Sequence, residues 1–231
     1  MLELRKIDSF YGASQILHGV TTDFADGVIT AILGRNGTGK TTLLKTIMGL
    51  TDRMTGRIRL ANNDLTEQPT FQRARAGIAY VPQGREIIPN FTVRENILMG
   101  AFARTDGRQE IPELVPELFP YLVENLNREG GLLSGGQQQQ LAIARALSAK
   151  PSILLLDEPT EGIQPNIVEE IQNIIIKLNR EVGLTIILVE QNVAFATRAA
   201  NNFLMMEKGR FVASGPIDKL TQDVIHRHLA V

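Results

Sequence analysis

Apolar residues in the first third of the chain fall into short runs that are typical of β-strands. Residues 2–7 alternate apolar with polar side chains, residues 19–24 form a second run, and residues 28–33 are almost continuously apolar. Residues 41–48 have apolar side chains at helical spacing and stop at Gly49. The pattern predicts three strands, then a glycine-rich loop, then a helix.

The middle of the chain changes character near residue 92. Residues 57–60 and 77–81 are short runs typical of strands, whereas residues 92–133 have a helical pattern interrupted by prolines at regular spacing. The prolines are Pro112, Pro116 and Pro120. We expect a single domain with a core of residues 1–91 and 134–231 and a small helical subdomain inserted between them.

The last part of the chain alternates helices with buried strands. The predicted elements are a helix at residues 137–149, a strand at 152–156, a helix from Asn166 and a strand at 184–189. Such alternation implies a parallel sheet covered by helices, and therefore an α/β fold. A hairpin is expected at residues 203–213 with its turn at Lys208-Gly209, and a short helix is expected to end at Val231.

Composition excludes several classes of protein. The chain has 231 residues, 43% of them hydrophobic and 21% charged, which is typical of a globular protein. A formal net charge of -1 provides no field that would attract nucleic acid, so nucleic acid is not an expected partner. The absence of cysteine excludes disulfides and thiolate metal sites. No apolar run approaches the ~18 residues of a membrane-spanning helix, and the N-terminus lacks the apolar core of a secretory signal, so we expect a protein that is not exported.

The segment between the third predicted strand and the first helix matches the phosphate-binding pattern G-x-x-x-x-G-K-[ST]. Its glycines allow the backbone to curl so that amide N–H groups point at phosphates, and the helix N-terminus adds its dipole. Lys40 places a charge beside the β and γ phosphates, and Thr41 offers a hydroxyl to Mg²⁺. We call residues 34–41 the phosphate loop. The residues expected to bind the nucleotide phosphates here are Gly34, Arg35, Asn36, Gly37, Thr38, Gly39, Lys40, Thr41 and Thr42.

Two adjacent carboxylates follow the buried strand at residues 152–156. Asp157 can hold Mg²⁺, and Glu158, turned the other way by the strand period of two, can orient and polarise the attacking water. An isolated Asp-Glu pair is more often a solvated turn. The phosphate loop in the same chain favours the catalytic interpretation.

The sequence Leu133-Ser134-Gly135-Gly136-Gln137, here called the signature loop, precedes a predicted helix. Ser134 stands at the N-cap position, and the glycines leave backbone N–H groups open to an anion. Together with the phosphate loop, these residues resemble the signature of ABC ATPases, and the resemblance covers nearly the whole chain. It implies a P-loop NTPase core of the RecA-like type, an N-terminal antiparallel β subdomain and an inserted α-helical subdomain. It also implies that the residues Ser134 to Gln137 contact ATP.

Two single residues resemble further functional positions of that family. Gln83, after Tyr80-Val81-Pro82, resembles the glutamine whose amide reaches Mg²⁺ and the attacking water. Tyr11 resembles the aromatic residue that stacks on adenine. By themselves, the first is a polar loop residue and the second an exposed aromatic near a strand end.

The chain departs from the family pattern at two positions. Gln191 stands where most members have a switch histidine that contacts the γ-phosphate, and Gln164 replaces an aspartate that contacts the partner subunit. Gln191 can donate a hydrogen bond but cannot become cationic, so its contact should not respond to pH near neutrality. Residues 189–192 resemble an ATPase subunit of branched-chain amino acid importers. Residues 137–145 and 158–165 look closer to the second ATPase subunit of bacterial urea importers.

The resemblance implies an ATP-hydrolysing subunit that powers an importer. Urea is the solute that we expect first, and branched-chain amino acids or another amide are the alternative. ATP and Mg²⁺ are the expected cofactors, with Glu158, Lys40 and Gln191 in catalysis and Thr41, Gln83 and Asp157 toward the metal. Two remote alternatives are a soluble ABC ATPase outside transport and a noncatalytic ATP-binding cassette, the second because of Gln191.

The resemblance also implies an assembly. Two ATPase subunits would face head to tail, with ATP between the phosphate loop of one and the signature loop of the other. The expected partner is a non-identical cassette, or a second copy in isolation, together with membrane permease subunits and, indirectly, a solute-binding protein. The expected location is the cytoplasmic side of a bacterial inner membrane.

Overall fold

A computed structural model describes residues 1–229, and its strands form two sheets. In chain order the strands are β1 (Leu2–Tyr11), β2 (Ser14–Phe24), β3 (Ile29–Leu33), β4 (Arg53–Leu60), β5 (Asn63–Asp64), β6 (Ile78–Val81), β7 (Ile153–Asp157), β8 (Thr185–Glu190), β9 (Asn202–Glu207) and β10 (Arg210–Pro216). The first sheet is antiparallel, in the order β2-β1-β4-β5. The second, β10-β9-β3-β8-β7-β6, is parallel apart from the β9–β10 pair. The predicted α/β fold with an N-terminal antiparallel sheet is confirmed.

The parallel strands bring three loops to one edge of the second sheet. β3 pairs with β8 so that Leu33 lies opposite Glu190, and β7 pairs with β8 so that Asp157 lies opposite Val189. The carboxyl ends of these strands therefore lie side by side. The phosphate loop and the segments after Asp157 and Glu190 meet there, where open α/β sheets bind their ligands.

Helices flank the sheets. In chain order they are α1 (Lys40–Met48), α2 (Thr70–Arg75), α3 (Val93–Ala101), α4 (Leu114–Leu118), α5 (Pro120–Glu124), α6 (Gly135–Ser148), α7 (Pro165–Val182), α8 (Val193–Ala199) and α9 (Gln222–Leu229), with 3-10 turns at Gly130–Leu132 and Ile217–Lys219. α1 starts after Gly39 and ends before Gly49, and the φ values of these two residues, 105° and 72°, favour glycine. Across residues 1–229, none of these helices combines the length and the apolar character that crossing a membrane requires.

The parallel sheet is buried on both faces. From β3, Ala31 and Leu33 pack against the apolar faces of α6 and α7, whereas Ile32 packs with α1 and the antiparallel sheet. Every residue of β3, β7 and β8 is buried. This double burial explains why these strands are continuous apolar runs in the sequence.

The predicted helical insertion corresponds to the short helices α3, α4 and α5 and the 3-10 turn at Gly130–Leu132, which lie between β6 and α6. Pro120 opens α5, but Pro116 lies within the first turn of α4, where a missing backbone N–H costs no hydrogen bond. α3 packs closely on α6, because a Cβ added to Gly100 would lie 1.8 Å from the carbonyl oxygen of Arg145. The boundaries of a separate subdomain at residues 92–133 stay a prediction.

The C-terminal hairpin forms as expected from β9 and β10. Its turn residues Lys208 and Gly209 have φ values of 43° and 72°, the left-handed pair that a tight hairpin turn requires. α9 is the predicted terminal helix, and its expected end at Val231 lies outside the described residues. The sequence pattern did not predict α2 or α8, which are only six and seven residues long.

Candidate active site

The phosphate loop connects β3 to α1 and can be built only with glycine at its first position. A Cβ on Gly34 would lie 2.5 Å from the carbonyl oxygen of Met206 and 2.8 Å from Thr38 Oγ1. Gly37 and Gly39 have φ values of 77° and 105°, which lie in the left-handed region. Thr38 fixes the curve of the loop, because its Oγ1 donates to the Arg35 carbonyl at 2.9 Å and its own carbonyl accepts from the Gly209 amide at 2.8 Å. Contacts within the chain therefore fix the shape of the loop.

Lys40 is a buried cation at the base of the phosphate loop. Its side chain is 4% exposed, and its Nζ donates to the carbonyls of Gly34 at 2.8 Å and Arg35 at 3.1 Å. The same Nζ lies 3.6 Å from Glu158 Oε1. Burial lowers the pKa of the Lys40 ammonium, and the Glu158 carboxylate opposes that shift. A cation held this way is suited to binding the phosphates of a nucleotide.

Asp157, the last residue of β7, accepts hydrogen bonds from two hydroxyl groups. Thr41 Oγ1 donates to Asp157 Oδ1 at 3.0 Å, and the Tyr80 hydroxyl donates to Oδ2 at 3.0 Å. Burial raises the pKa of the Asp157 carboxyl, and burial beside Asp157 raises the pKa of the Tyr80 phenol, which stays a donor. Mg²⁺ prefers one or two carboxylates plus hydroxyl, water and phosphate oxygens. The side chains of Asp157 and Thr41 fit that ion.

Glu158 follows the strand in a left-handed backbone conformation. β7 ends at Asp157 and φ of Glu158 is 46°, so the direction of this side chain comes from the turn and not from strand alternation as the sequence suggested. Gln191 Nε2 donates to both carboxylate oxygens of Glu158, at 2.7 Å each. The structure thus joins two predicted catalytic residues that are 33 positions apart.

Gln83 joins the same region from the loop after β6. Its Nε2 donates to Glu161 Oε2 at 2.8 Å, just beyond the Asp157-Glu158 pair. α6 holds this loop in place, because the Arg145 guanidinium donates to the carbonyls of Arg85 at 3.0 Å and Glu86 at 2.8 Å. Gln83, the third residue predicted to contact the metal, therefore lines the cleft, and its amide donates a hydrogen bond to Glu161.

A cleft of ≈ 380 Å³ brings half of the predicted site residues together. Its lining consists of Tyr11, Ile16, Asn36, Gly37, Gly39, Lys40, Thr41, Thr42, Gln83 and Glu158. Tyr11 is 36% exposed, which leaves its ring available for stacking on a base. Ile16, Tyr80 and Arg145 were not predicted from the sequence. Nothing in the sequence pointed to Ile16. Tyr80 could have been predicted, because it carries a hydroxyl and lies three residues before Gln83.

The signature loop lies elsewhere and does not line this cleft. Ser134 is the N-cap of α6: its Oγ accepts from the Gln137 amide at 3.4 Å, while Gln137 Oε1 accepts from the Ser134 amide at 2.9 Å. Gly136 is enclosed, since a Cβ there would lie 2.5 Å from Ile167 Cγ2. The predicted N-cap is confirmed. Residues Ser134, Gly135, Gly136 and Gln137 therefore do not reach the nucleotide cleft of their own chain. Their expected contact with ATP stays a prediction.

Comparison with known proteins gives a consistent picture. The family described as ABC transporter matches residues 17–161. The branched-chain amino acid transport ATP-binding protein BraG of Pseudomonas aeruginosa is 43% identical over 92% of this chain and 91% of its own length. The probable branched-chain amino acid transport ATP-binding protein LivF of Archaeoglobus fulgidus is 38% identical over 96% and 94%. The glutamine transport ATP-binding protein GlnQ of Escherichia coli is 33% identical over 93% and 91%.

Solved structures agree with the sequence relatives. The ADP conformation of an ATP-binding cassette of an ABC transporter has a TM-score of 0.82 at 27% identity and covers 96% of this chain and 95% of that one. A dimeric cassette in a post-hydrolysis state, bound to ADP and Pi, has a TM-score of 0.83 at 27% identity and covers 94% and 99%. The chain belongs to the ABC transporter family, as an ATP-hydrolysing cassette of that family.

Proposed function

We propose that this chain is an ATPase subunit of an importer for branched-chain amino acids. The relatives at 43% and 38% identity, each aligned over more than nine-tenths of this chain, are named for that class of solute. These relatives support the second sequence-based expectation, branched-chain amino acids, better than the first, urea. The cleft itself carries no information about the solute, because its lining belongs to the nucleotide.

One observation carries the catalytic part of the proposal: Lys40, Glu158 and Gln191 form a chain of contacts, of 3.6 Å and 2.7 Å, beside the oxygen atoms of Asp157. The phosphate loop and Lys40 would bind the triphosphate, and Tyr11 would stack on the base. Thr41, Asp157 and Gln83 would hold Mg²⁺, which neutralises charge on the phosphates when bound. Glu158 would orient the attacking water and accept its proton, while Gln191 holds the carboxylate in that direction.

The complete site would need a second subunit. The signature loop does not line its own cleft, so a facing cassette would have to supply one, as in the solved dimer of similar fold. We infer a non-identical cassette in the assembled importer, and a second copy of this chain in isolation. Permease subunits would provide the membrane part, a solute-binding protein would deliver the solute, and the chain would work on the cytoplasmic side of a bacterial inner membrane.

A noncatalytic cassette is the second candidate, favoured only by Gln191 in place of the histidine. Against it, the buried pair Lys40 and Glu158 is intact and Gln191 contacts both oxygens of Glu158. A soluble ABC ATPase outside transport has no supporting observation here.

The test is ATP turnover of the complex reconstituted in vesicles with its permease subunits and binding protein. Leucine, isoleucine or valine should stimulate turnover severalfold, and urea should not. The matched Glu158→Gln complex should lose turnover by about 100-fold or more with every solute, because the acceptor for the water proton is gone. Stimulation by urea alone would reverse the choice of solute, and wild-type turnover by Glu158→Gln would remove Glu158 from catalysis.

A further inference from the structure

Glu190 is a buried carboxylate that the proposed reaction does not use directly. It is the last residue of β8, is 3% exposed and does not line the nucleotide cleft. A buried carboxylate is unfavourable unless donors surround it. Burial accordingly raises the pKa of the Glu190 carboxyl. The groups that hold this carboxylate indicate what it does.

The two oxygens of Glu190 serve two different loops. Oε1 accepts from the Thr160 hydroxyl at 2.6 Å, in the segment after β7. Oε2 accepts from the backbone amides of Gln191 at 3.1 Å and Asn192 at 3.3 Å, in the segment after β8. One carboxylate therefore ties together the two loops that follow adjacent parallel strands.

These are the loops that carry the reacting groups. Glu158 lies two residues before Thr160, and Gln191 directly follows Glu190 in the chain. Gln191 Nε2 donates to both oxygens of Glu158 at 2.7 Å, so the contacts form a closed ring of residues. The ring therefore runs from Glu158 through Thr160, Glu190 and Gln191 and returns to Glu158.

The ring has a strained member. Glu158 has a φ of 46°, a left-handed value that side-chain-bearing residues adopt rarely and at a cost in free energy. Such a conformation persists only where surrounding contacts hold it. The Glu158 amide donates to the Val189 carbonyl at 2.9 Å, so β8 holds the backbone of this residue while Gln191 holds its side chain.

We propose that Glu190 is a positioning residue for ATP hydrolysis, which aligns Glu158 by bridging the Thr160 hydroxyl and the Gln191 backbone. This inference rests on the proposed role of Glu158 as the group that activates water. Both Glu190 oxygens are occupied by donors of this chain, so Glu190 acts through Glu158 and not on the nucleotide.

The decisive variant is Thr160→Val, which removes the hydroxyl at nearly constant volume and leaves the buried carboxylate with its two amide donors. In the reconstituted complex we expect kcat to fall by about 10-fold while KM for ATP stays within about twofold. Thr160→Ser, which restores the hydroxyl, should recover most of the loss. The matched control is Thr197→Val on α8, where the hydroxyl donates only to the Val193 carbonyl and kcat should not change.

A second variant tests the carboxylate itself. Glu190→Gln keeps an acceptor for the two amides and a donor for Thr160 Oγ1, so kcat should stay within about threefold of wild type. Glu190→Met removes both contacts, and adding Thr160→Val to it should cause no further loss, because the two residues act through one contact. If Glu190→Met does not fold, the comparison of Thr160→Val with Thr160→Ser still decides.

The outcomes separate this inference from the proposed function. Wild-type kcat in Thr160→Val, with Glu158→Gln inactive, would overturn the role of Glu190 and leave that of Glu158 intact. A loss in Thr160→Val that appears only in KM or in thermal stability would indicate a purely structural bridge and would also overturn it. Wild-type turnover by Glu158→Gln would overturn both.

Discussion

Two helix N-termini of this chain are built in opposite ways. α1 starts after Gly39, which has no side chain to cap the helix, and it follows a loop that is shaped and backed by the buried Lys40. α6 starts after Ser134, whose hydroxyl and amide are both paired with Gln137 in a capping box. An uncapped helix start leaves its amides and dipole for an anion, whereas a capped one is stable by itself. The first leaves its amides available to a nucleotide, whereas the second would meet one only on the facing subunit proposed above.

The largest effect should come from removing the Lys40 cation at the N-terminus of α1. Lys40→Met leaves the helix intact but takes away the buried charge, so ATP hydrolysis should fall by about 100- to 1,000-fold and ATP binding should weaken. The measurements are steady-state hydrolysis and binding of a fluorescent ATP analogue to the purified chain. Lys45→Met, on the same helix but outside the cleft lining, is the control. Equal loss in both variants would point to damage of α1 rather than to a phosphate contact.

An intermediate effect should come from adding a negative charge at the N-terminus of α6. Ser134→Asp keeps an N-cap acceptor for the Gln137 amide but places a negative charge where the triphosphate of a facing subunit would lie. ATP binding by the isolated chain should stay within about twofold, while hydrolysis falls by about 10- to 100-fold. Ser134→Asn, an equally good cap without the charge, should behave much more like wild type.

Mixing variants sharpens this prediction. A head-to-tail pair of one Lys40→Met chain and one Ser134→Asp chain contains one intact composite site, so mixing the two impaired preparations should raise activity above that of either alone. No restoration, in a mixture shown by cross-linking to form pairs, would contradict a site shared between two copies of this chain.

The smallest effect should be a change in stability alone. Gln137→Ala removes one side of the capping box and should lower the free energy of unfolding by about 0.5–1 kcal/mol. Chemical denaturation measures it, with ATP binding at the phosphate loop unchanged. Gln140→Ala is the control, because the Gln140 amide donates to Glu170 at 3.2 Å and takes no part in the capping box. An equal loss in the control would mean that the capping box adds no stability.

The sequence predicted those parts of the molecule that depend on local pattern. β3, β7 and β8 were visible as continuous apolar runs, and the phosphate loop was visible because its glycines and lysine must stand at fixed spacing. Ser134 was recognised as an N-cap because a cap and its helix are neighbours in the chain. In each case the physical requirement acts over fewer than about ten residues.

Contacts across the sheet could not be predicted in the same way. Glu190 directly follows the predicted strand at 184–189 and received no role from the sequence, because its importance depends on Thr160, thirty positions earlier. Tyr80 likewise depends on Asp157, which follows it by 77 positions. The direction of Glu158 was wrongly ascribed to strand alternation, because the left-handed turn that sets it is stabilised by β8 and not by its own neighbours.

The close contact of Gly34 with the carbonyl oxygen of Met206 has an evolutionary consequence. Every amino acid carries a backbone carbonyl, so exchanging Met206 for another residue would not relieve the crowding at 34. Met206 is fully buried in the core, so a lineage could exchange it for another apolar side chain that fits there while position 34 remained confined to glycine. A survey of related sequences should find that asymmetry, with several apolar residues at 206 and only glycine at 34.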